Sequence, residues 1–395
     1  MKFKRILALI LCCMLFSGCW DRIEIDKKIF ISTIGIDAGK DIGKEKEQLK
    51  NIKPYDPFQE RIENKKLSIT YGFPDISEMG PGKSGTAKDQ FMVVDASSME
   101  DADVKAAGKS SRSIFLGHTK LIVISSSILE APDTFKEIVD YLNRNPSLNK
   151  MMNVVVAEGK AEDFIKYTPN TEKNIETFIS GLMEASKKNA TILPLTLNEM
   201  LVLLDENGSA LIPKISMEKD KGKNEVVLSG VAVIKNYALK GFLTPVEVSD
   251  VELLRGKLKG GKKVIYLNNH PLDYSIDGVE REIKLYGDKN KLQFNINISL
   301  EGQIKGYYID DDINSKEKLG EIEKDLGMAI TQECDIIAKM LQREFGVDPI
   351  GLREYLEKHN PSLWKQVKGN WEEVYKNASI VTNVDVKARR IGISK

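Results

Sequence analysis

Between residues 292 and 300 the apolar side chains Leu292, Phe294, Ile296, Ile298 and Leu300 alternate without a break with Gln293, Asn295, Asn297 and Ser299. Successive side chains of a strand point to opposite faces, so this stretch belongs in a sheet with one buried and one wetted face. Four strand-like runs precede it, at 226–234, 237–243, 263–267 and 279–286, and their close succession predicts antiparallel pairing. A long helix is then expected from an Asn314 cap to Phe345, with Leu319, Ile322, Leu326, Ile330, Ile337 and Leu341 on one stripe that would cover the apolar face. Asp348-Pro349 and Asn360-Pro361 open two further helices, and Val384, Val386 and Ala388 alternate with Asp385, Lys387 and Arg389 in a closing strand. Strands, then helices, then one strand make residues 223–395 an α+β domain, an antiparallel sheet with one long helix.

The first half has a different pattern. Residues 29–36 read as a first strand, 67–73 and 91–94 as strands, and Ser98 caps a helix to about Lys109. Residues 113–125 are apolar enough to form one central strand, a helix starts at Pro132, and 151–157 is the next strand. This alternation predicts a mixed α/β domain over 19–165, with the charged, aperiodic segment 39–66 as a mobile loop. Helices at 171–186 and 196–204, the second with Thr196 and Glu199 spaced as a capping box, and a strand at 211–217 make up a small middle domain, 166–222. The polar run Glu218 to Asn224 reads as the linker to the last domain. The whole is a multi-domain α+β chain of mixed sheets packed with helices.

The first eighteen residues read as a targeting segment. Lys2, Lys4 and Arg5 precede an eleven-residue apolar run, Ile6 to Phe16, which ends at Ser17-Gly18-Cys19. As a helix that run rises about 16 Å against a hydrocarbon core of roughly 30 Å, so it cannot span. A basic start, a short apolar core and small residues before the cut mark a cleaved signal, and a cysteine at the cut marks bacterial lipoprotein processing after Gly18. Acyl chains on Cys19 would supply the anchor, at about 0.8 kcal/mol per buried CH₂. An ordinary signal with a chance cysteine is the alternative, and Phe16, where such sites usually carry Leu, is the departure that favours it.

Loss of residues 1–18 removes three positive charges and no negative one from a balance of 58 against 58, leaving −3. That argues against nucleic acid or a strongly anionic surface as partner. Cys12 and Cys13 leave with the signal and Cys19 is acylated, so Cys334 remains alone without a disulfide partner. It lies among Ile330, Ile337 and Leu341 and reads as a small core residue rather than a reactive thiol.

Catalytic signals are sparse. Gly80-Pro81-Gly82-Lys83-Ser84-Gly85 satisfies G-x-G-x-x-G, but it does not join a strand directly to a helix, and the glycine a P-loop needs five before Gly82 is Ser77. His118, His270 and His359 are far apart in sequence and have no zinc-ligand spacing; His118 reads as a structural hydrogen-bonding residue. Asp310-Asp311-Asp312 lacks the alternating ligands and glycine of a calcium loop. No catalytic residue, cofactor or metal is implied.

The segments Ser17 to Ile25, Ser111 to Ile124 and Gly230 to Leu243, with Cys-Trp-Asp-Arg at residues 19–22 the most specific, resemble the Ger(x)C lipoproteins, the C subunits of spore nutrient germinant receptors. The resemblance runs end to end. It implies a three-domain, non-catalytic subunit held at the outer face of the spore inner membrane by an N-palmitoyl, S-diacylglyceryl Cys19. It further implies that this subunit is required for the nutrient response and works with a polytopic A subunit and a permease-like B subunit. A solute-binding lipoprotein of an importer is the runner-up, since it shares the anchor. Its two lobes would alternate strands and helices throughout, unlike residues 226–300. An exported hydrolase, the third reading, would need a pocket of converging titratable groups.

Overall fold

The β-branched runs at 121–125 and 153–157 lie, in a computed structural model of the protein, at the centre of a large mixed sheet whose neighbours cover both of its faces. The structure describes residues 27–44, 47, 50, 64–75, 88–189, 191–220, 222–267, 270–307 and 315–391. In chain order the elements are β1 (Lys28–Phe30), β2 (Thr33–Ala38), β3 (Leu67–Pro74), β4 (Asp89–Ala96), α1 (Met99–Gly108), β5 (Ser113–Phe115), β6 (Leu121–Ser125), α2 (Ser126–Leu129), α3 (Pro132–Arg144), β7 (Asn153–Ala157), α4 (Ala161–Ile165), α5 (Ile175–Asn189) and α6 (Leu197–Asn207). Then come β8 (Ser209–Asp220), β9 (Lys223–Lys235), β10 (Ala238–Leu243), α7 (Pro245–Arg255), β11 (Lys262–Leu267), β12 (His270–Asp288), β13 (Lys291–Tyr307), α8 (Lys316–Lys339, continued by a π-helical turn, Met340–Phe345), α9 (Leu352–His359), α10 (Pro361–Val367), α11 (Trp371–Asn377) and β14 (Ser379–Ile391).

The large sheet runs β10-β9-β8-β7-β6-β2-β3-β4. Its central strands β2, β6, β7 and β8 are parallel, and both edges are antiparallel. All five residues of β6 are buried because each face has its own core. Ile122 and Ile124 pack with Phe135 and Ile138 of α3 and Met200 of α6, whereas Leu121 and Val123 pack with Phe164 of α4 and Ile179 of α5. Unbroken apolar strands in a parallel sheet carry this signature.

Two strands expected as single pieces are divided. The stretch 29–36 breaks after Phe30, so that β1 pairs with β5 in a small parallel ribbon while β2 enters the large sheet. The stretch 113–125 breaks at Leu116 to Lys120, where the Leu116 carbonyl accepts from the Thr119 amide (3.0 Å) and hydroxyl (2.8 Å). Apolar content alone did not show these breaks, because the turns are built from buried residues such as Leu116 and Thr119.

The run Glu218 to Asn224 is the tip of the β8–β9 hairpin rather than a linker, and its polarity reflects exposure at a sheet end. Strand β9 carries two cores at once: Ala232 and Ile234 face the first-half core, while Val231 and Val233 join the core of the second half. The bounded part of the expected 39–66 loop is ordered, since the Gly39 amide donates to the Lys66 carbonyl (2.8 Å) and the Lys65 amide to the Asp41 carboxylate (3.1 Å). Most of that segment lies outside the described residues.

The second sheet runs β11-β12-β13-β14, antiparallel except for the parallel pair β13–β14. Leu292, Phe294, Ile296, Ile298 and Leu300 are buried as their alternation requires, and Ile322, Leu326, Ile330, Cys334 and Ile337 of α8 lie in the same core. The expected Asn314 cap lies outside the described residues; Ser315 caps α8, its hydroxyl accepting from the Lys318 amide at 3.2 Å. Helix α8 also shields the free edge of β14: the Val384 amide donates to the Thr331 hydroxyl (3.0 Å) and the Ala388 amide to the Glu323 carboxylate (2.8 Å). An edge strand satisfied in this way offers little for another chain to pair with.

Candidate functional site at the junction of the two sheets

Helix α6 begins as its sequence dictates. The Thr196 amide donates to the Glu199 carboxylate at 2.8 Å and the Glu199 amide to the Thr196 hydroxyl at 3.3 Å, closing the reciprocal cap. Gly208, left-handed at φ 62°, ends the helix and turns the chain into β8. Across from α6 stand the end of α7, the turn Gly256 to Gly260, residues 276–279 of β12 and the segment Val347 to Pro349. Between these walls lies a cleft of about 1410 Å³. Leu193, Val202, Leu203, Leu211, Leu258 and Val279 supply much of its apolar surface.

The carboxylates that line the cleft are all engaged within the protein. Glu199 serves the α6 cap, Glu252 pairs with Arg255 at 3.0 Å, and Asp277 accepts from the Gln303 amide at 2.7 Å. Asp348 accepts from the backbone amides of Gly351 (3.1 Å), Leu352 (3.1 Å) and Arg353 (2.7 Å), so it holds the start of α9; burial nevertheless pushes it up to about 6. The cations behave differently. Arg255 is paired, but Lys257 and Lys259 stand exposed at the rim, and the Arg255 guanidinium together with partial burial holds the Lys257 ammonium below the ordinary lysine value. Among the described residues that line the cleft there is no histidine or cysteine.

Beside the cleft the two halves are fastened together. Arg353 of α9 donates to the Glu206 carbonyl and the Asn207 side-chain oxygen at the end of α6, and its guanidinium lies 5.6 Å from the Trp364 ring centre. The Asn207 amide donates to Glu354 at 3.2 Å, and Lys235 of β9 pairs with Glu372 of α11 at 3.3 Å. Exposed charge pairs contribute little, whereas a half-buried guanidinium that satisfies a helix-end carbonyl and stacks on an indole contributes more. Replacing Arg353 by Ala is expected to cost about 1–2 kcal/mol in urea denaturation, and Lys235→Ala less than about 0.5 kcal/mol. Equal losses would show that the guanidinium is not the principal fastening.

The sequence candidates fall at scattered places. Gly18, Cys19, Gly80 to Gly85 and Asp310 to Asp312 lie outside the described residues. His118 does not show the expected hydrogen bond but packs edge-on against Phe30 (5.1 Å) and at a tilt against Phe115 (5.5 Å). His359 lies on Tyr355 at 4.7 Å, and His270 opens β12. Among the described residues no three His, Cys, Asp or Glu side chains converge to hold a metal. Cys334 is buried in the α8 stripe, and burial pushes its thiol well above its usual range. Arg353, Asn207, Lys257 and Lys259 were not singled out from the sequence; the run Arg255-Gly256-Lys257-Leu258-Lys259-Gly260-Gly261-Lys262-Lys263 was the available signal for the last two.

The two halves have separate counterparts among known families. Residues 21–217 match the model of the spore germination protein N-terminal domain, and residues 229–392 match the spore germination B3/GerAC-like C-terminal model. The chain belongs to the Ger(x)C family of spore germination proteins. The unmatched residues 218–228 between the two models take in the β8–β9 hairpin tip and the β9 residues that follow it. Among Ger(x)C relatives, spore germination protein YndF of Bacillus subtilis is 27% identical, covering 100% of this chain and 99% of its own length. Spore germination protein A3 of the same organism is 26% identical over 98% of each chain, and protein B3 is 22% identical over 95% and 94%. The crystal structure of the GerBC protein aligns with a TM-score of 0.58 at 19% identity, covering 82% of this chain and 93% of that one, which shows a shared fold.

Proposed function

We propose that this Ger(x)C protein is the lipid-anchored C subunit of a spore germinant receptor, required for the nutrient-triggered response through contact with polytopic A and B subunits and without turnover of its own. The match of both halves to germination families, over 21–217 and 229–392, carries the reading. Two further observations support it. The N-terminal match begins two residues after Cys19, where the mature chain would start. Among the described residues no helix is long and apolar enough to cross a membrane, so in this reading attachment at the outer face of the spore inner membrane rests on acyl chains at Cys19. The importer reading receives nothing from the relatives, all of which are germination proteins.

The test is made on the chain recovered from spore membranes. Mass spectrometry of the N-terminal peptide is expected to show a chain starting at Cys19 and carrying acyl chains, and affinity capture of the membrane complex is expected to bring down two polytopic chains. A bare Cys19 thiol would remove the anchor from the proposal. Capture of the chain without polytopic companions would remove the receptor.

A further inference from the structure

We infer that the free edge of β11 pairs with the β11 of a second copy of this chain, antiparallel and about a two-fold axis at Val264, so that two four-stranded sheets run on as one. The register of β11 shows which backbone groups are free. The Ile276 amide donates to the Gly261 carbonyl at 3.0 Å, and the pairing continues without a shift from Lys262 opposite Ser275 to Leu267 opposite His270. Hydrogen-bonded pairs alternate along an antiparallel ladder, so Lys263 and Ile265 bond to β12, while the amides and carbonyls of Lys262, Val264 and Tyr266 point outward from the edge. Among the described residues nothing bonds to those outward groups.

The other outer edges of the eight-stranded and four-stranded sheets are occupied. On β4 the Lys105 and Lys109 ammonium groups donate to the Asp95 (3.2 Å) and Val93 (2.8 Å) carbonyls. Strand β10 is bulged between Leu239 and Gly241, and the Phe345 ring lies so near Gly241 that an added methyl would stand 2.8 Å from it. Helix α8 guards β14 through Thr331 and Glu323. Edges are blunted in these ways, and by charged side chains that deter a second strand. Strand β11 does carry two lysines, but Lys262 is spent on Asp273 at 3.1 Å and Lys263 turns inward to Asp250 and Glu333. Beside its free backbone groups Val264 is 40% exposed and Tyr266 75%.

The outward residues are complementary to themselves, which is what a second copy requires. With the axis at Val264, Lys262 of each copy stands opposite Tyr266 of the other, and the two Val264 side chains face each other. No like charges meet, each ammonium reaches an aromatic ring, and the valines cover one another. A foreign strand with an acid opposite Lys262 would instead compete with Asp273 for the ammonium. Gly260 and Gly261, just before β11, present no side chain to the approaching strand. One short strand buries far less than the roughly 1,600 Å² of a standard interface, so the pair dissociates on dilution.

Cysteine cross-linking of the full chain in its membrane tests this directly. In a hydrogen-bonded antiparallel pair the Cα atoms stand about 5.5 Å apart, within the range a disulfide spans, so Val264→Cys is expected to give a dimer on oxidation with copper phenanthroline. Peptide mass spectrometry is expected to show the two copies joined at position 264. The parent chain and Val104→Cys, altered on α1 at a site 65% exposed, are expected to stay monomeric. In the Val264→Cys background, Tyr266→Pro removes an outward amide without costing a bond to β12, and Tyr266→Lys sets a like charge opposite Lys262 of the second copy. Both are expected to abolish the dimer. Melting temperatures check that the fold is retained, and Tyr266→Lys decides the matter where the proline disturbs β11. No product, a product joining this chain to a different one, or a dimer that survives Tyr266→Lys would overturn the inference. None of these results bears on acylation of Cys19 or on capture of polytopic chains.

Discussion

Lys263→Met will lose about 3–5 kcal/mol of stability at pH 7, and lowering the pH to 5 will restore part of it. Lys263 is 5% exposed, and its ammonium joins β11 to α7 through Asp250 and to α8 through Glu333 at 2.6 Å. Burial alone would pull that ammonium down, but the two carboxylates hold it above the ordinary lysine value. Burial also pushes Asp250, 2% exposed, up to about 6 even with Lys263 beside it. Removal of the ammonium therefore strands a buried carboxylate, which is more expensive than the intact pair is favourable. Glu333 is partly exposed and is solvated when its partner goes.

The sign of the pH effect follows from the raised carboxyl. A folded-state value above the unfolded one near 3.8 means that the folded protein holds the extra proton. Stability is then greatest below about 4 and declines as the pH rises through the folded value, at up to about 1.4 kcal/mol per pH unit. Without the ammonium the folded value climbs further and the decline extends to neutral pH. Lys263 does not titrate in this range. Urea denaturation at pH 5 and pH 7 measures both effects. An equal loss at the two pH values, or one below about 1 kcal/mol, would show that Asp250 is solvated once Lys263 is gone.

Gly230→Ala will cost about 3 kcal/mol or more, whereas Gly278→Ala will cost less than about 1 kcal/mol. Gly230 sits in β9 at φ 100°, where an L side chain is strained, and an added methyl would lie 1.9 Å from the Leu243 carbonyl oxygen. That oxygen belongs to the end of β10, just before Thr244 caps α7, so the methyl would push apart the strand pair from which the second half of the chain departs. At Gly278 an added methyl meets nothing within 4 Å. Melting temperatures of the two variants against the parent decide the matter. Similar values would mean that β9 and β10 can slide apart without loss.

Much of the fold was legible because local chemistry and tertiary packing agree. Thr196 and Glu199 cap α6, Ser98 caps α1, Pro132 starts α3, and the alternation at 292–300 buries the predicted face. The candidate site was not legible, since its walls come from residues 192–211, 252–260, 276–279 and 347–349 and meet only after both sheets have formed. The basic turn was visible as a run of lysines and glycines, but which lysines lack a carboxylate depends on Asp250, Asp273 and Glu333, which are remote in sequence from most of them.

By itself the sequence determined the caps or starts of α1, α3 and α6, the face buried at 292–300 and the resemblance to Ger(x)C proteins, because each depends on residues within a few turns or one motif. Only the tertiary structure decided that residues 218–224 are a hairpin tip. Periodicity shows that β9 is a strand, but not that Val231 and Val233 face one core while Ala232 and Ile234 face another. A polar stretch between two apolar strands reads the same whether it joins domains or turns a hairpin. The difference lies in the backbone hydrogen bonds of β8 and β9, which join them in one sheet.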